Sequence, residues 1–295
     1  MGPLFTMLRR VARAHCTVLV GGETGTGKEL AARAIHAESP RRKAPFYAVS
    51  CATFSPTLLE SELFGHVRGA FTGAVRDRAG LFALANKGTL FLDEVAEIPL
   101  DLQGKLLRIM QEKTFIPVGG TQPITVDVRV ISATNKALRR EVAEGRFRED
   151  LSYRMQVVPL FLPPLRQRHG DVEALFWHFI DELNAEGLRQ IEGVTRAALE
   201  AIRSYPWPGN VRQLRSAVEY AFVVGEGEIF DVGDLTPEIR GEPPPGGGGV
   251  SLVDAERQRI LGALAKHRGR KAAAAAELGM SRSTLWRKLG AHRLG

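Results

Sequence analysis

The sequence predicts an α/β fold, with a mostly parallel sheet covered by helices, followed by a helical segment and a small all-α end. Three observations carry this. Short apolar, β-branched runs alternate with helical patterns over roughly the first 160 residues. A glycine-rich turn, GETGTGKE at 22–29, joins the first such run to the first helical pattern. Strand signals stop at Pro163-Pro164, and only helical periodicity follows. A length of 295 residues accommodates more than one domain, and 44% hydrophobic with 25% charged residues is the composition of an ordinary globular chain.

In chain order, Arg9, Arg10 and Arg13 belong to a basic amphipathic helix at the start. The Met1–Thr6 match to a lipidation pattern is of the kind many chains show by chance. Thr17–Val20 is the first strand and Lys28–Ala37 the first helix after the glycine turn. Phe46–Val49, Thr89–Leu92, Val128–Ala133 and Met155–Leu160 are four further strands. Asp101–Gln111 carries Leu102, Leu106, Leu107 and Met110 at helical spacing. Asp171–Glu186, Thr195–Arg203 and Asn210–Val224 are helices, with Asp171, Thr195 and Asn210 as N-caps. Pro243–Pro245 followed by four glycines is a linker, stiff and then flexible. The expected organisation is an α/β subdomain at 1–165, a helical lid at 166–240, a linker at 241–249 and a helical domain at 250–295.

Composition bounds the function. Two cysteines, Cys16 and Cys51, give no disulfide framework, so a reducing cytoplasm is expected. The seven histidines show no metal-ligand spacing with cysteine. No apolar run reaches membrane-spanning length, so no membrane partner is expected. Between Val250 and Gly295 stand ten Lys or Arg and three Asp or Glu, a surplus that equals the +7 of the whole chain. A basic end on a neutral body is the charge pattern of a nucleic-acid-binding segment.

The turn at 22–29 fits G-x-x-x-x-G-K, a phosphate-binding loop. Gly22, Gly25 and Gly27, with Glu23, Thr24 and Thr26 between them, let backbone N–H groups face phosphate oxygens at a helix N-terminus. Lys28 neutralises the terminal phosphates. Glu29 stands where the general pattern has a hydroxyl ligand for magnesium. A glycine turn with a surface lysine is the bland alternative, and a strand before and a helix after weigh against it. Asp93 and Glu94 end an apolar strand, where open α/β sheets hold ligands. Asp93 is the magnesium holder, through water, and Glu94 polarises the attacking water of ATP hydrolysis.

Between these motifs, residues 69–74 read GAFTGA within ESELFGHVRGAFTGA at 60–74. This stretch resembles the signature loop of the bacterial enhancer-binding proteins, sigma-54-dependent transcription activators of the AAA+ superfamily. The resemblance covers nearly the whole chain. It implies that Gly69, Ala70, Phe71, Thr72, Gly73 and Ala74 contact sigma-54, with Phe71 as an exposed aromatic anchor. It implies a second surface loop at 118–129, Thr134 and Asn135 as sensors of the γ-phosphate, and Arg148 and Arg154 in FREDLSYRM as fingers reaching a neighbouring subunit's nucleotide. WPGNVRQL at 207–214 is similar to the motif opening the family's lid helix, with Arg212 as a second sensor.

Two positions depart from the family's pattern. Ser50 stands where Asn is usual, and Val67 where Glu is usual. Both bear on the coupling of hydrolysis to the loop.

KAAAAAELGMSRSTLWRKL at 271–289 reads helix, Gly279 turn, helix. Arg282, Ser283, Thr284, Arg287 and Lys288 face DNA in this layout, which is similar to the Fis-type helix-turn-helix domain of the same family. The resemblance implies ATP and Mg2+, a homo-oligomeric ring, usually a hexamer, and DNA-binding domains paired as dimers on an upstream palindromic site. It implies ATP-driven remodelling of closed sigma-54 RNA polymerase. The other reading is a DNA-binding regulator whose AAA+ domain senses nucleotide without coupling to sigma-54.

Overall fold

The computed structural model describes residues 2–187, 189–242, 266, 267, 271 and 273. The chain divides into two compact units, residues 1–234 and 235–295. The first unit opens with helix α1 (Gly2–Arg13), strand β1 (Val18–Gly21) and helix α2 (Lys28–Ala37). Strand β2 (Phe46–Ser50) is followed by helix α3 (Pro56–Phe64), whose proline stands in the first turn, where a missing N–H costs nothing. A small hairpin, β3 (Gly65–His66) and β4 (Arg78–Ala79), leads through α4 (Leu81–Leu84) to β5 (Thr89–Asp93). Helix α5 (Leu100–Glu112) runs into a second hairpin, β6 (Thr114–Phe115) and β7 (Ile124–Thr125). Strand β8 (Arg129–Thr134), helices α6 (Leu138–Ala143) and α7 (Glu149–Met155), and strand β9 (Val158–Phe161) complete the α/β part.

The five long strands form one parallel sheet in the order β2-β5-β8-β1-β9. Period-2 alternation divides its side chains between two cores. Val18 and Val20 pack with Ala31, Ala32 and Ile35 of α2 and with Leu8 and Val11 of α1. Leu19 faces the other way, into a core with Leu59 and Leu63 of α3, Leu102 and Leu106 of α5, and Leu151 and Met155 of α7. Burial on both faces explains why the central strands β1, β5 and β8 read as continuous apolar runs.

The helical segment holds α8 (Asp171–Glu186), a short β10 (Gly193–Val194) paired with β11 (Ile229–Phe230), α9 (Arg196–Ser204) and α10 (Asn210–Val224). Phe176, Phe179, Ile180 and Leu183 of α8 are buried, as are Leu214, Ala217, Val218 and Ala221 of α10.

Three local expectations are corrected. Met155 ends a helix rather than opening a strand, because it sits one turn from Leu151 and both are fully buried in the same core. Asp171 is the first residue of α8, behind a Gly170 cap with φ 82°, and its charge suits the positive first turn. Asn210 is likewise inside its helix, behind Gly209, with its side chain engaged elsewhere. Thr195 caps as expected, its hydroxyl accepting from the Ala198 N–H at 3.3 Å.

Among the described residues no helix is long and apolar enough to cross a membrane. The expected recognition residues Arg282, Ser283, Thr284, Arg287 and Lys288 lie outside the described residues.

Candidate nucleotide site and coupling loop

The glycine loop leaves β1 at the C-terminal edge of the sheet and enters α2 at Lys28. Gly25 has φ 80°, and a β-carbon there would collide with the Gly209 carbonyl oxygen, so only glycine lets the loop and the helical segment meet this closely. Lys28 is 7% exposed. Its ammonium donates to the Gly22 carbonyl at 3.2 Å and lies 3.5 Å from the Glu94 carboxylate. A lysine is rarely buried to this degree without partners, and here both lie at the mouth of the loop. The Thr26 hydroxyl donates to the Glu23 carbonyl at 2.8 Å, tightening the turn.

Asp93 ends β5 and accepts the Glu94 N–H at 3.0 Å. Glu94 has φ 52°, in the left-handed region, where a residue with a β-carbon carries about 1–2 kcal/mol of strain. Held strain of this kind is typical of a functional turn. The Glu94 carboxylate accepts the Asn135 N–H at 3.2 Å, and the Asn135 amide donates to the Thr24 hydroxyl at 3.2 Å. Asn135 therefore touches both the catalytic carboxylate candidate and the phosphate loop. Thr134 ends β8 beside the loop, its carbonyl accepting the Gly22 N–H at 3.3 Å and its hydroxyl accepting the Lys136 N–H at 3.0 Å. Burial pushes the nearby Cys51 thiol up to about 12, with the Asp93 and Glu94 charges adding to it. Such a thiol stays protonated and is no nucleophile.

Glu29 is not brought into the site. Its carboxylate pairs with Arg33 one turn along α2, at 2.7 Å, on the exposed side of the helix. A side chain at the second position of α2 projects outward while the backbone N–H groups of the first turn face the loop.

The helical segment grips the loop through contacts that sequence motifs do not announce. Arg166 pairs with Glu23 at 2.5 Å and 2.9 Å. Asn210, fully buried with φ 53°, donates to the Glu23 carboxylate at 3.1 Å and to the Thr24 carbonyl at 3.0 Å, and accepts the Leu165 N–H at 2.8 Å. Arg168 donates to the Thr26 carbonyl at 2.8 Å, and the Val211 N–H donates to the Gly25 carbonyl at 3.0 Å. Hydrogen bonds from Arg166 and then Asn210 lower the Glu23 pKa to about 2. Arg212 is exposed next to Gly25, where a β-carbon on Gly25 would lie 3.2 Å from its own.

Arg148 precedes α7 and Arg154 stands in its last turn, and they contact none of these groups. Arg148 pairs with Asp150 at 2.8 Å, and Arg154 donates to the Met110 carbonyl at 3.1 Å. The Arg148 N–H donates to the buried Gln103 amide oxygen at 2.8 Å.

Residues 69–74 cap the β3–β4 hairpin. The Gly69 N–H donates to the Ala74 carbonyl at 2.9 Å, and the Ala74 N–H to the Phe71 carbonyl at 3.0 Å. Thr72 and Gly73 are exposed and Ala74 is buried. Phe71 is not the fully exposed anchor expected from the motif: its ring is half-buried, edge-on to His66 at 5.0 Å between centroids. An aromatic ring next to a ring edge gains contact that water does not offer. His66 in turn bonds Ser61 of α3 at 2.7 Å. The loop between β6 and β7 lies against this hairpin: the Val67 N–H donates to the Val118 carbonyl at 3.1 Å, and the Val118 N–H to the Gly65 carbonyl at 2.9 Å. A β-carbon on Gly119 would come within 2.8 Å of the Ala70 β-carbon and 3.3 Å of Val67. The two loops are one packed unit, with Val67 at the seam.

A parallel sheet that presents a glycine loop, a buried lysine and two carboxylates at its strand ends, with a helical segment closed over the loop, defines a P-loop protein of the AAA+ ATPase class. Comparison with family models assigns residues 1–161 to the sigma-54 interaction domain, 166–248 to an AAA+ ATPase lid domain and 251–292 to the bacterial regulatory proteins of the Fis family. The chain belongs to the sigma-54 interaction domain family. It is 46% identical to the regulatory protein AtoC of Escherichia coli K12 over 95% of its own length and 63% of that protein. It is 45% identical to the transcriptional regulatory protein ZraR of the same organism, over 98% of this chain and 66% of that one. The chain thus spans about two thirds of the length of these relatives. The crystal structure of NtrX from Brucella abortus in complex with ATP matches with a TM-score of 0.74 at 36% identity, covering 99% of this chain and 67% of that one.

Proposed function

We propose that this protein is a sigma-54-dependent transcription activator that hydrolyses ATP in an oligomeric ring and remodels the closed complex of sigma-54 RNA polymerase. The observation that carries this is the pairing, on one subdomain, of the Lys28–Glu94–Asn135 constellation with the Gly69–Ala74 loop, whose tip Thr72-Gly73 is exposed. The relative NtrX holds ATP, and the loop here has the same prerequisites for a nucleotide: positive-φ glycines, N–H groups at the start of α2 and a buried cation. Magnesium bound with ATP would neutralise phosphate charge, and Asp93 would hold it. Lys28 binds the β- and γ-phosphates, Glu94 orients and deprotonates the attacking water, and Asn135, Thr134 and Arg212 report the phosphate state.

In this reading Arg148 and Arg154 act on the neighbouring subunit's nucleotide, which accords with their lying away from Lys28 and Glu94 in their own chain. Residues 69–74 contact sigma-54 after Phe71 leaves His66, and the 118–129 loop moves with them. The basic end at 250–295 binds an upstream palindromic DNA site as dimers through Arg282, Ser283, Thr284, Arg287 and Lys288. The ring is a cytoplasmic hexamer, and the α/β, lid, linker and DNA-binding parts divide at 165, 240 and 249.

A second reading rests on Ser50. The Glu94 carboxylate is engaged by Lys28 and by the Asn135 N–H, while Ser50 meets the strand end through backbone pairing with Asp93. A serine hydroxyl reaches less far than the amide usual in the family. A DNA-binding regulator with an uncoupled, nucleotide-sensing domain would follow from that. A Lys28→Ala protein tested for promoter opening decides the ATP-dependent part: retained opening refutes it.

A further inference from the structure

We infer that Gln103 is a positioning residue that carries the state of the nucleotide site in one subunit to the arginine it offers the next. Gln103 lies in the first turns of α5 and is fully buried. Its amide nitrogen donates to the Ile98 carbonyl at 2.8 Å and to the Arg146 carbonyl at 3.0 Å, and its amide oxygen accepts the Arg148 N–H at 2.8 Å. Both donor hydrogens are therefore used, as a buried amide requires. Ile98 closes the 3-10 turn Val95–Glu97, which begins at Glu94 in its left-handed conformation. Arg146 and Arg148 bracket Phe147, which is buried in the core below α7.

One side chain thus links the backbone four residues after Glu94 to the backbone that fixes the root of Arg148. Among the described residues no other hydrogen bond joins these two segments. Lys136 reaches Glu97 from the β8 side at 2.6 Å but stops there, and Glu141 holds Arg146 from α6. The Arg148 carbonyl accepts the Ser152 N–H at 3.0 Å, which fixes the other side of its backbone to α7, while its side chain is held by the exposed pair with Asp150, and an exposed pair contributes little. The root of the guanidinium is therefore set by its backbone, which Gln103 holds on the N–H side and α7 on the carbonyl side. A shift of the 94–98 turn would move the root of Arg148 through two hydrogen bonds. Position errors of about 1 Å at a catalytic group cost on the order of 10²-fold in rate.

This rests on the reading above in which Arg148 serves a neighbouring subunit, and a subunit-mixing experiment separates the two. Gln103→Met keeps the side chain's length and removes all three hydrogen bonds; Gln103→Leu is the second variant, and either one that melts cooperatively is sufficient. Steady-state ATP hydrolysis and the affinity for a non-hydrolysable ATP analogue are measured for each variant alone and in equal mixture with Lys28→Ala subunits, with Arg148→Ala run in parallel. The expected result is a loss of hydrolysis of about tenfold or more with analogue affinity unchanged, and recovery of several-fold in the mixture. Recovery occurs because Lys28→Ala subunits supply intact fingers to the intact sites of the Gln103 variant. Wild-type hydrolysis by the Gln103 variant alone overturns the inference. So does failure to recover while the Arg148→Ala mixture does, since the fault then lies in the variant's own site. If the Arg148→Ala mixture does not recover either, the reading of Arg148 in trans falls, and the inference with it.

Discussion

The amide of Asn210 donates at 3.1 Å to the carboxylate of Glu23, joining the first residue of the α10 lid helix to the second residue of the phosphate loop. Asn210 is fully buried with φ 53°, and it spends its other donor on the Thr24 carbonyl and its oxygen on the Leu165 N–H. Asn210→Ala leaves these groups unpaired. The expected loss is about 1–3 kcal/mol of unfolding free energy, measured by denaturant titration. A drop in ATP affinity is expected in parallel, because the loop loses its anchor to the lid.

Glu23 gives the same clamp a pH signature. Its pKa falls from an ordinary 4.5 to about 2 through Arg166 and Asn210. The folded protein therefore binds fewer protons there than the unfolded chain. Its contribution to stability is complete above pH 4.5 and is lost as pH falls toward about 2. Thermal melts from pH 6 down to pH 2 are expected to show a smaller acid-induced drop for Glu23→Gln than for the parent, with the two curves differing most at the neutral end.

The sheet was legible because its three central strands are buried on both faces, so Val18–Val20 or Leu90–Leu92 read as unbroken apolar runs. The phosphate loop was legible because its turns restrict positions to glycine, and the Asp93-Glu94 pair because two carboxylates directly follow an apolar strand. Helix α3 was hidden: its last five residues, Glu60–Phe64, open the stretch read as a loop motif, and tertiary packing of Leu59 and Leu63 decides its state. Phe71 was read as exposed because a loop tip usually is, and the His66 ring beneath it is a contact that spacing alone does not reveal. Asn210 illustrates the general limit. Local chemistry makes an asparagine before a helix a cap, while its actual partners lie 187 and 186 residues away. Gln103, one polar residue on an amphipathic helix, carries no sequence signal for burial at all.

Glu94→Gln separates binding from chemistry. The isosteric amide keeps a partner for Asn135 and removes the base. Hydrolysis is expected to fall by about 10²-fold or more while nucleotide affinity stays within a few-fold. Equal loss of both would place Glu94 in binding instead.

Phe71→Ala tests the loop. Its ring touches His66 and none of the nucleotide groups. ATP hydrolysis is expected to persist, while capture of sigma-54 in the presence of ATP weakens by tenfold or more, about 1.4 kcal/mol or above, as for an aromatic interface anchor. Loss of hydrolysis together with binding would show that the ring supports the fold instead.

Ser50→Asn tests the coupling path from β2 to Glu94. Ser50 pairs in register with Asp93 on the neighbouring strand, and an amide there has a longer reach toward the strand end than the hydroxyl. The ratio of promoter openings to ATP molecules hydrolysed is expected to change. Unchanged rates of both would remove Ser50 from the path.

The most direct test is open-complex formation by sigma-54 RNA polymerase on a promoter fragment carrying an upstream site, with purified protein and either ATP or a non-hydrolysable analogue. The account predicts opening with ATP and none with the analogue. ATP hydrolysis without opening would contradict it and leave a DNA-binding regulator whose ATPase is not coupled to sigma-54.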